Sequence, residues 1–165
     1  KTVNKPVGLL LNFGSAEPNF HRLYFDFDKR PENVTHTHPE PDPDWLYPDL
    51  AYQILGALYE VHHVLGAGFV HRIYANACYQ ELKSRDIAAQ PIKRMQVAYK
   101  DIVVGDIGFG HLLAEGKVMV FPVAIRDVED IHLDNLKTWM RWQNIQLGIL
   151  ANFDDVRLSP VFIRA

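Results

Sequence analysis

The sequence predicts an α/β fold, a mixed sheet flanked by helices, with an extra pair of strands ahead of the main domain. Three observations predict it. Ala51, Ile54, Leu55, Leu58, Val61 and Leu65 recur at three- and four-residue spacing, which marks one face of a helix. From Lys93 the apolar period shortens to that of strands, punctuated by Gly105, Gly108, Gly110 and Gly116. One strand-like segment occurs twice: Val7–Phe13 and Leu147–Phe153 share Gly8/Gly148, Leu10/Leu150, Asn12/Asn152 and Phe13/Phe153 without a gap.

The elements follow in order. Val7–Phe13 is a short apolar run closed by Gly14-Ser15, a strand and then a turn. Phe20–Phe27 alternates and reads as a second strand. Residues 28–46 are polar and rich in proline, which removes donors and fixes φ, so they form an extended linker. The domain proper spans residues 47–165, and Trp45 and Tyr47 stand where they can staple the linker to it. Its first helix opens at Pro48-Asp49, ends near Leu65 and is closed by Gly66-Ala67-Gly68. A second helix is expected from Phe69 to Ser84. Strands are expected at Met95–Tyr99, Ile102–Leu113 and Val118–Ile125, a third helix at Val128–Trp142, and last strands at Leu147–Phe153 and Val156–Ile163. Helices and strands mixed in this order layer helices on a sheet. Residues 1–27 then read as a strand pair resembling the C-terminal end of the same domain. Such a pair is the tail of a preceding domain whose open edges add to a sheet of its own or a neighbouring chain.

Composition narrows the function classes. The 165 residues suit one main domain with a real core. The formal charge of −3 lacks the basic excess that nucleic-acid binders usually carry, so nucleic acid is an unlikely partner. The single cysteine, Cys78, cannot form an internal disulfide and is expected to be a small buried residue. No apolar run nears the roughly eighteen residues of a membrane span, and the opening residues lack a basic-then-apolar pattern. A soluble cytoplasmic protein is the expectation. A first residue of Lys1 rather than Met is expected of a processed product or a fragment.

The segment from Glu60 to Tyr74 (Glu60-Val-His62-His63-Val-Leu-Gly66-Ala-Gly68-Phe-Val-His71-Arg-Ile-Tyr74) resembles the VHxxLGPGxxExxY signature of the GxxExxY branch of the PD-(D/E)XK nuclease superfamily. His62, Leu65, Gly66, Gly68 and Tyr74 fit it, and Leu147–Phe153 is similar to that branch's GLLINFG-like strand. The resemblance covers about Asp49 to Arg164 and implies a restriction-endonuclease-like core. It also implies a glutamate on the second helix, an aspartate on the second strand, Glu-x-Lys on the third and a glutamine on the following helix. Carboxylates are needed because phosphodiester hydrolysis uses Mg²⁺, which prefers hard oxygen ligands; the lysine balances developing charge.

The matching positions hold other residues. His71 stands for the helix glutamate, His111 for the aspartate, Phe121 and Val123 for Glu-x-Lys, and Asn135 for the glutamine. The implication is a degenerate site, and a structural or binding subunit of a homo- or hetero-oligomer. The alternative gives His62, His71, His111 and His132 to a ligand, since imidazole suits a transition metal or haem rather than Mg²⁺. A second alternative is a surviving Mg²⁺-dependent nuclease, which requires Asp101, Asp106, Glu115 or Asp127 to rebuild the site, or a non-cleaving nucleic-acid binder, against which the acidic balance weighs. Trp139 and Trp142 are three apart on the late helix, suited to core packing or to anchoring an interface. His36 and His38 lie in the linker and are expected to be solvated.

Overall fold

The computed structural model describes residues 7–12, 19–24, 44–100, 102–125, 133–155 and 157–165, and backbone alone for 7–12, 19–24, 93, 95–98 and 106–109. The chain divides into two units, residues 1–37 and 38–165.

In the first unit, β1 (Val7–Asn12) pairs antiparallel with β2 (Asn19–Tyr24). The expected extensions to Phe13 and Phe27, and most of the linker, lie outside the described residues.

The second unit carries α1 (Pro48–Leu65), α2 (His71–Ser84), β3 (Ala89–Tyr99), β4 (Ile102–Ala114), β5 (Val118–Val123), α3 (Leu133–Trp142), β6 (Leu147–Asn152) and β7 (Val161–Arg164). The strands form one sheet in the order β3-β4-β5-β6-β7. Among the described residues only β5 and β6 run parallel. They are joined through α3, as a parallel pair requires, and every residue of both is buried. Near-continuous burial follows when helices cover both faces of a parallel pair.

Alternation along the strands sorts two cores. Val118 and Val120 of β5, Leu147 and Ile149 of β6, and Leu112 of β4 face α1 and α2. Met119, Phe121 and Val123 of β5 and Leu150 of β6 face Leu136 and Met140 of α3. Helix α1 presents Ala51, Ile54, Leu55, Leu58 and Val61 to the first core, as its spacing predicts. Cys78 of α2 is fully buried there, and burial pushes its thiol far above the ordinary range.

The expected boundaries of α1 hold to the residue. Others move for physical reasons. Helix α2 starts at His71 rather than Phe69, because Gly66 and Gly68 sit at φ +68° and +104° and Phe69 spends its N–H on the Tyr74 hydroxyl. Strand β3 begins at Ala89 rather than Met95, drawn out by its ladder with β4. The last strand shrinks to four residues, starting at Val161 rather than Val156, since residues 157–160 are bend and irregular chain and Pro160 has no N–H to give a ladder. Strand β5 stops at Val123, two residues short of Ile125.

The duplicated segment is matched in pairing as well as in sequence. Val7 lies opposite Tyr24, and Leu147 lies opposite Arg164, so both strands of the two hairpins are displaced by the same 140 positions. At the start of the second unit, Trp45 rests on Phe162 with ring centroids 4.7 Å apart. Arg164 donates to the Asp44 carbonyl at 2.8 Å, and the Lys117 ammonium lies 5.8 Å from the Tyr47 ring centroid.

Candidate functional site

The loop between α1 and α2 is held from both sides. The Tyr74 hydroxyl donates to the Gly66 carbonyl at 2.6 Å and accepts the Phe69 N–H at 3.1 Å. Its ring stacks on Phe153 at 4.5 Å and 18°. From the end of α1, His62 Nε2 donates to the Asp155 carbonyl at 2.8 Å, in the turn that follows β6. Four signature residues (His62, Gly66, Gly68, Tyr74) therefore build a brace between the helix pair and the end of β6. Its effect is to fix where α2 begins.

What α2 begins with is His71. It is half-buried, and its Nε2 lies over Gly110 of β4: a Cβ built on that glycine would stand 2.5 Å from it. Beside Gly110 is His111, 5% exposed and one of three buried polar side chains among the described residues, with His62 and Asn152. The two imidazoles meet edge-on, centroids 6.2 Å apart at 81°.

The β4–β5 ladder sets the next contact. Leu112 pairs with Val120 and Leu113 with Met119, so one step further His111 stands opposite Phe121. Their rings are 4.7 Å apart at 74°, the edge-to-face geometry that aromatic rings prefer. Phe121 is fully buried and continues toward α3. A Cβ on Gly148 would meet Phe121 Cε2 and Met140 Sδ, each at 2.8 Å. That glycine is the space the phenylalanine and methionine occupy. Val123, two residues along the same face, closes the row.

The end of β5 is pinned by Asn152. Its Oδ1 accepts the Ile125 N–H at 3.1 Å and its Nδ2 donates to the Ile125 carbonyl at 2.8 Å, while Phe153 N–H reaches the Val123 carbonyl at 2.7 Å. Gly148, Asn152 and Phe153 thus earn their places in the recurring strand motif through β5 and α3.

Burial, and then the charge of the neighbouring His71, holds His111 down to about 3; burial alone lowers His71. Near neutrality His111 is an uncharged ring packed against hydrocarbon.

The sequence candidates divide as follows. His71, His111 and Phe121 come together at the α2–β4–β5 seam, and Val123 lies two residues further along β5 in the α3-side core. His62 belongs to the brace. Asn135 is exposed in the first turn of α3, and His132 lies outside the described residues. Among the described residues no group of three or more His, Cys, Asp or Glu converges, and two imidazoles fall short of the three or four protein ligands of a zinc centre. Among the alternative carboxylates, Glu115 sits in the β4–β5 turn, where its Oε1 accepts the Ala88 N–H at 2.7 Å. Asp106 is five positions from His111 along β4, about 16 Å at the strand rise. Asp101 and Asp127 lie outside the described residues. Sequence reasoning missed Gly110, Met140 and the Asn152–Ile125 clasp; the recurrence of Gly148 and Asn152 in both copies of the strand motif was the available signal. Among the described residues no helix is long and apolar enough to cross a membrane.

A family model of the PD-(D/E)XK nuclease superfamily matches residues 48–165. The chain belongs to that superfamily, and its mixed five-stranded sheet with flanking helices is the restriction-endonuclease-like fold. No curated protein matches the chain, and no solved structure does.

Proposed function

We propose that this is a catalytically inactive nuclease-like domain of the GxxExxY branch, serving as a structural or binding subunit of an oligomeric assembly. The observation that carries the reading is the packing of His111 on Phe121, both buried, at the two strand positions where the branch places metal-binding carboxylates. Mg²⁺ needs oxygen ligands and keeps several waters. An uncharged imidazole, a phenyl ring and the Val123 side chain offer no oxygen, so these residues do not fit the ion. Glu115 is committed elsewhere and Asp106 is distant along its strand.

A binding role is supported by apolar surface outside the seam. Tyr99, Ile102, Val103 and Val104 are more than half exposed on the β3–β4 hairpin, and Val64 and Val70 flank the α1–α2 loop. Apolar surface gathered in this way marks interaction sites. The shared register of the two hairpins supports reading residues 1–27 as a copy of the domain's terminal strand pair, joined through the linker at 28–46.

The test is cleavage of single- and double-stranded DNA and RNA with Mg²⁺ or Mn²⁺. No cleavage is expected. Metal-dependent cleavage abolished by Asp106→Ala would falsify the reading. Native mass then decides the assembly role: an integer multiple of the chain is expected, and a bare monomer at all concentrations argues for a partner of another kind.

A further inference from the structure

We propose that the first hairpin, β1–β2, completes the sheet of a further domain of this fold, with the open edge of β1 docked in parallel on that domain's counterpart of β5. The proposal rests on the reading of residues 1–27 as a copy of the terminal strand pair and adds the kind of partner that the copy fits.

The two hairpins agree pair by pair. Gly8 is set against Leu23, Leu9 against Arg22 and Leu10 against His21; in β6–β7 the same places hold Gly148 against Ile163, Ile149 against Phe162 and Leu150 against Val161. In the second copy each shared residue reaches an element outside its own hairpin. Gly148 leaves the space that Phe121 of β5 and Met140 of α3 occupy. Leu150 shares a core with Leu136 and Met140 of α3. Asn152 clasps the Ile125 backbone beyond the end of β5. Phe153 donates its N–H to the Val123 carbonyl and stacks on Tyr74 of α2. The residue types kept in the first copy, as Gly8, Leu10, Asn12 and Phe13, are those with a task toward β5, α3 or α2.

The pattern of β1 agrees. Val7-Gly-Leu-Leu-Leu-Asn12 lacks apolar–polar alternation, as a strand covered on both faces does, and its counterpart β6 is buried at every residue. Two strands alone cannot cover both faces, and an isolated hairpin is marginal at best. Among the described residues β1 pairs with β2 alone, whereas the matching edge of β6 is taken in parallel by β5. An open edge of this kind accepts a strand through main-chain hydrogen bonds.

Those contacts define the partner. It offers a buried strand with a large side chain at the place of Phe121, a helix with one at the place of Met140, and no terminal hairpin of its own. In the second unit the place beside β5 is held by β6, so the partner is another domain. The polar, proline-rich stretch at 28–46 then links two domains of the superfamily, one completed by β1–β2 and the other by β6–β7.

The experiment supplies such a partner covalently. The two hairpins are displaced by 140 positions, so residues 38–140 joined ahead of Lys1 set Val7 as far along the chain from the copied α3 as Leu147 is from its own. The full chain follows unchanged. Amide hydrogen exchange of residues 7–24, whose sequence occurs once in the product, is compared between the extended and the unextended chain. Extension should slow these amides about a hundredfold or more, toward the rates of Leu147–Arg164. Gly8→Trp in the extended chain should abolish the slowing and leave Leu147–Arg164 unaffected. Exchange equally fast in both chains, or already slow without the extension, overturns the proposal. So does slowing that Gly8→Trp leaves intact, because the docking would then not use the copied residues. Cleavage is assayed separately, so a protein that cuts DNA and still protects the hairpin loses the inactive reading and keeps this one.

Discussion

Tyr74 shows how one side chain sets the site without lying in it. Its buried hydroxyl satisfies the Gly66 carbonyl and the Phe69 N–H together. Tyr74→Phe keeps the stacking on Phe153 and removes both bonds from groups that are at most partly buried, which typically costs about 0.5–1.5 kcal/mol for each bond. A urea-midpoint shift of that size is expected, and an unshifted midpoint would show that the brace contributes nothing. His111 makes the complementary prediction in pH. Its folded value lies near 3, below the unfolded 6.5 or so, so the folded state resists the proton. The stability it contributes is complete above pH 6.5 and is lost as pH falls from there toward 3. Replacing it in His111→Leu should flatten that acid limb, measured as urea midpoint against pH; a limb of unchanged steepness assigns acid sensitivity to other groups. His71, His111, Phe121 and Val123 were legible together only through the resemblance, because nothing in their spacing marks a common seam. Gly110 and Met140 were not legible, since what they contact is decided by packing between elements distant in sequence.

Between elements, Gly148 lets β6 pass beneath Phe121 and Met140. Gly148→Ala forces a methyl into that contact and should destabilise the domain by about 1–3 kcal/mol, the usual cost of overpacking. Thermal or urea denaturation reads it, and a neutral result would mean that the methionine swings aside freely. Legibility among the elements follows locality. Helix α1 was readable to the residue because Pro48 opens it, Gly66 closes it and its apolar face repeats without interruption. The first half of β3 was not, because Ala89-Gln-Pro-Ile-Lys-Arg94 has no alternation, and its partner in β4 defines it as a strand. Strand β6 ends at Asn152, one residue short of the expected Phe153, at the turn in which Asp154 N–H meets Asn152 Oδ1 at 3.3 Å. That bond lies outside any periodic signal.

For the molecule as a whole, the superfamily's fold is retained, and on the proposed reading the seam of His71, His111 and Phe121 stands where a metal would otherwise be held. The brace, the Asn152 clasp and the Gly148 contact tie α1, α2, β5, β6 and α3 together, so His62, Gly66, Tyr74, Gly148 and Asn152 have structural work of their own. A fold can carry a binding or assembly role once its chemistry is gone, and the exposed apolar hairpin of β3 and β4 offers surface for one. The most direct check of this account is a Mn²⁺ titration followed by amide NMR, because a bound paramagnetic ion broadens the signals of residues around it. Signals of Gly110–Leu112 and Phe121–Val123 should keep their widths through millimolar Mn²⁺. Selective broadening of those residues, reversed by excess Mg²⁺, would show that the seam still holds a catalytic metal and would contradict the account.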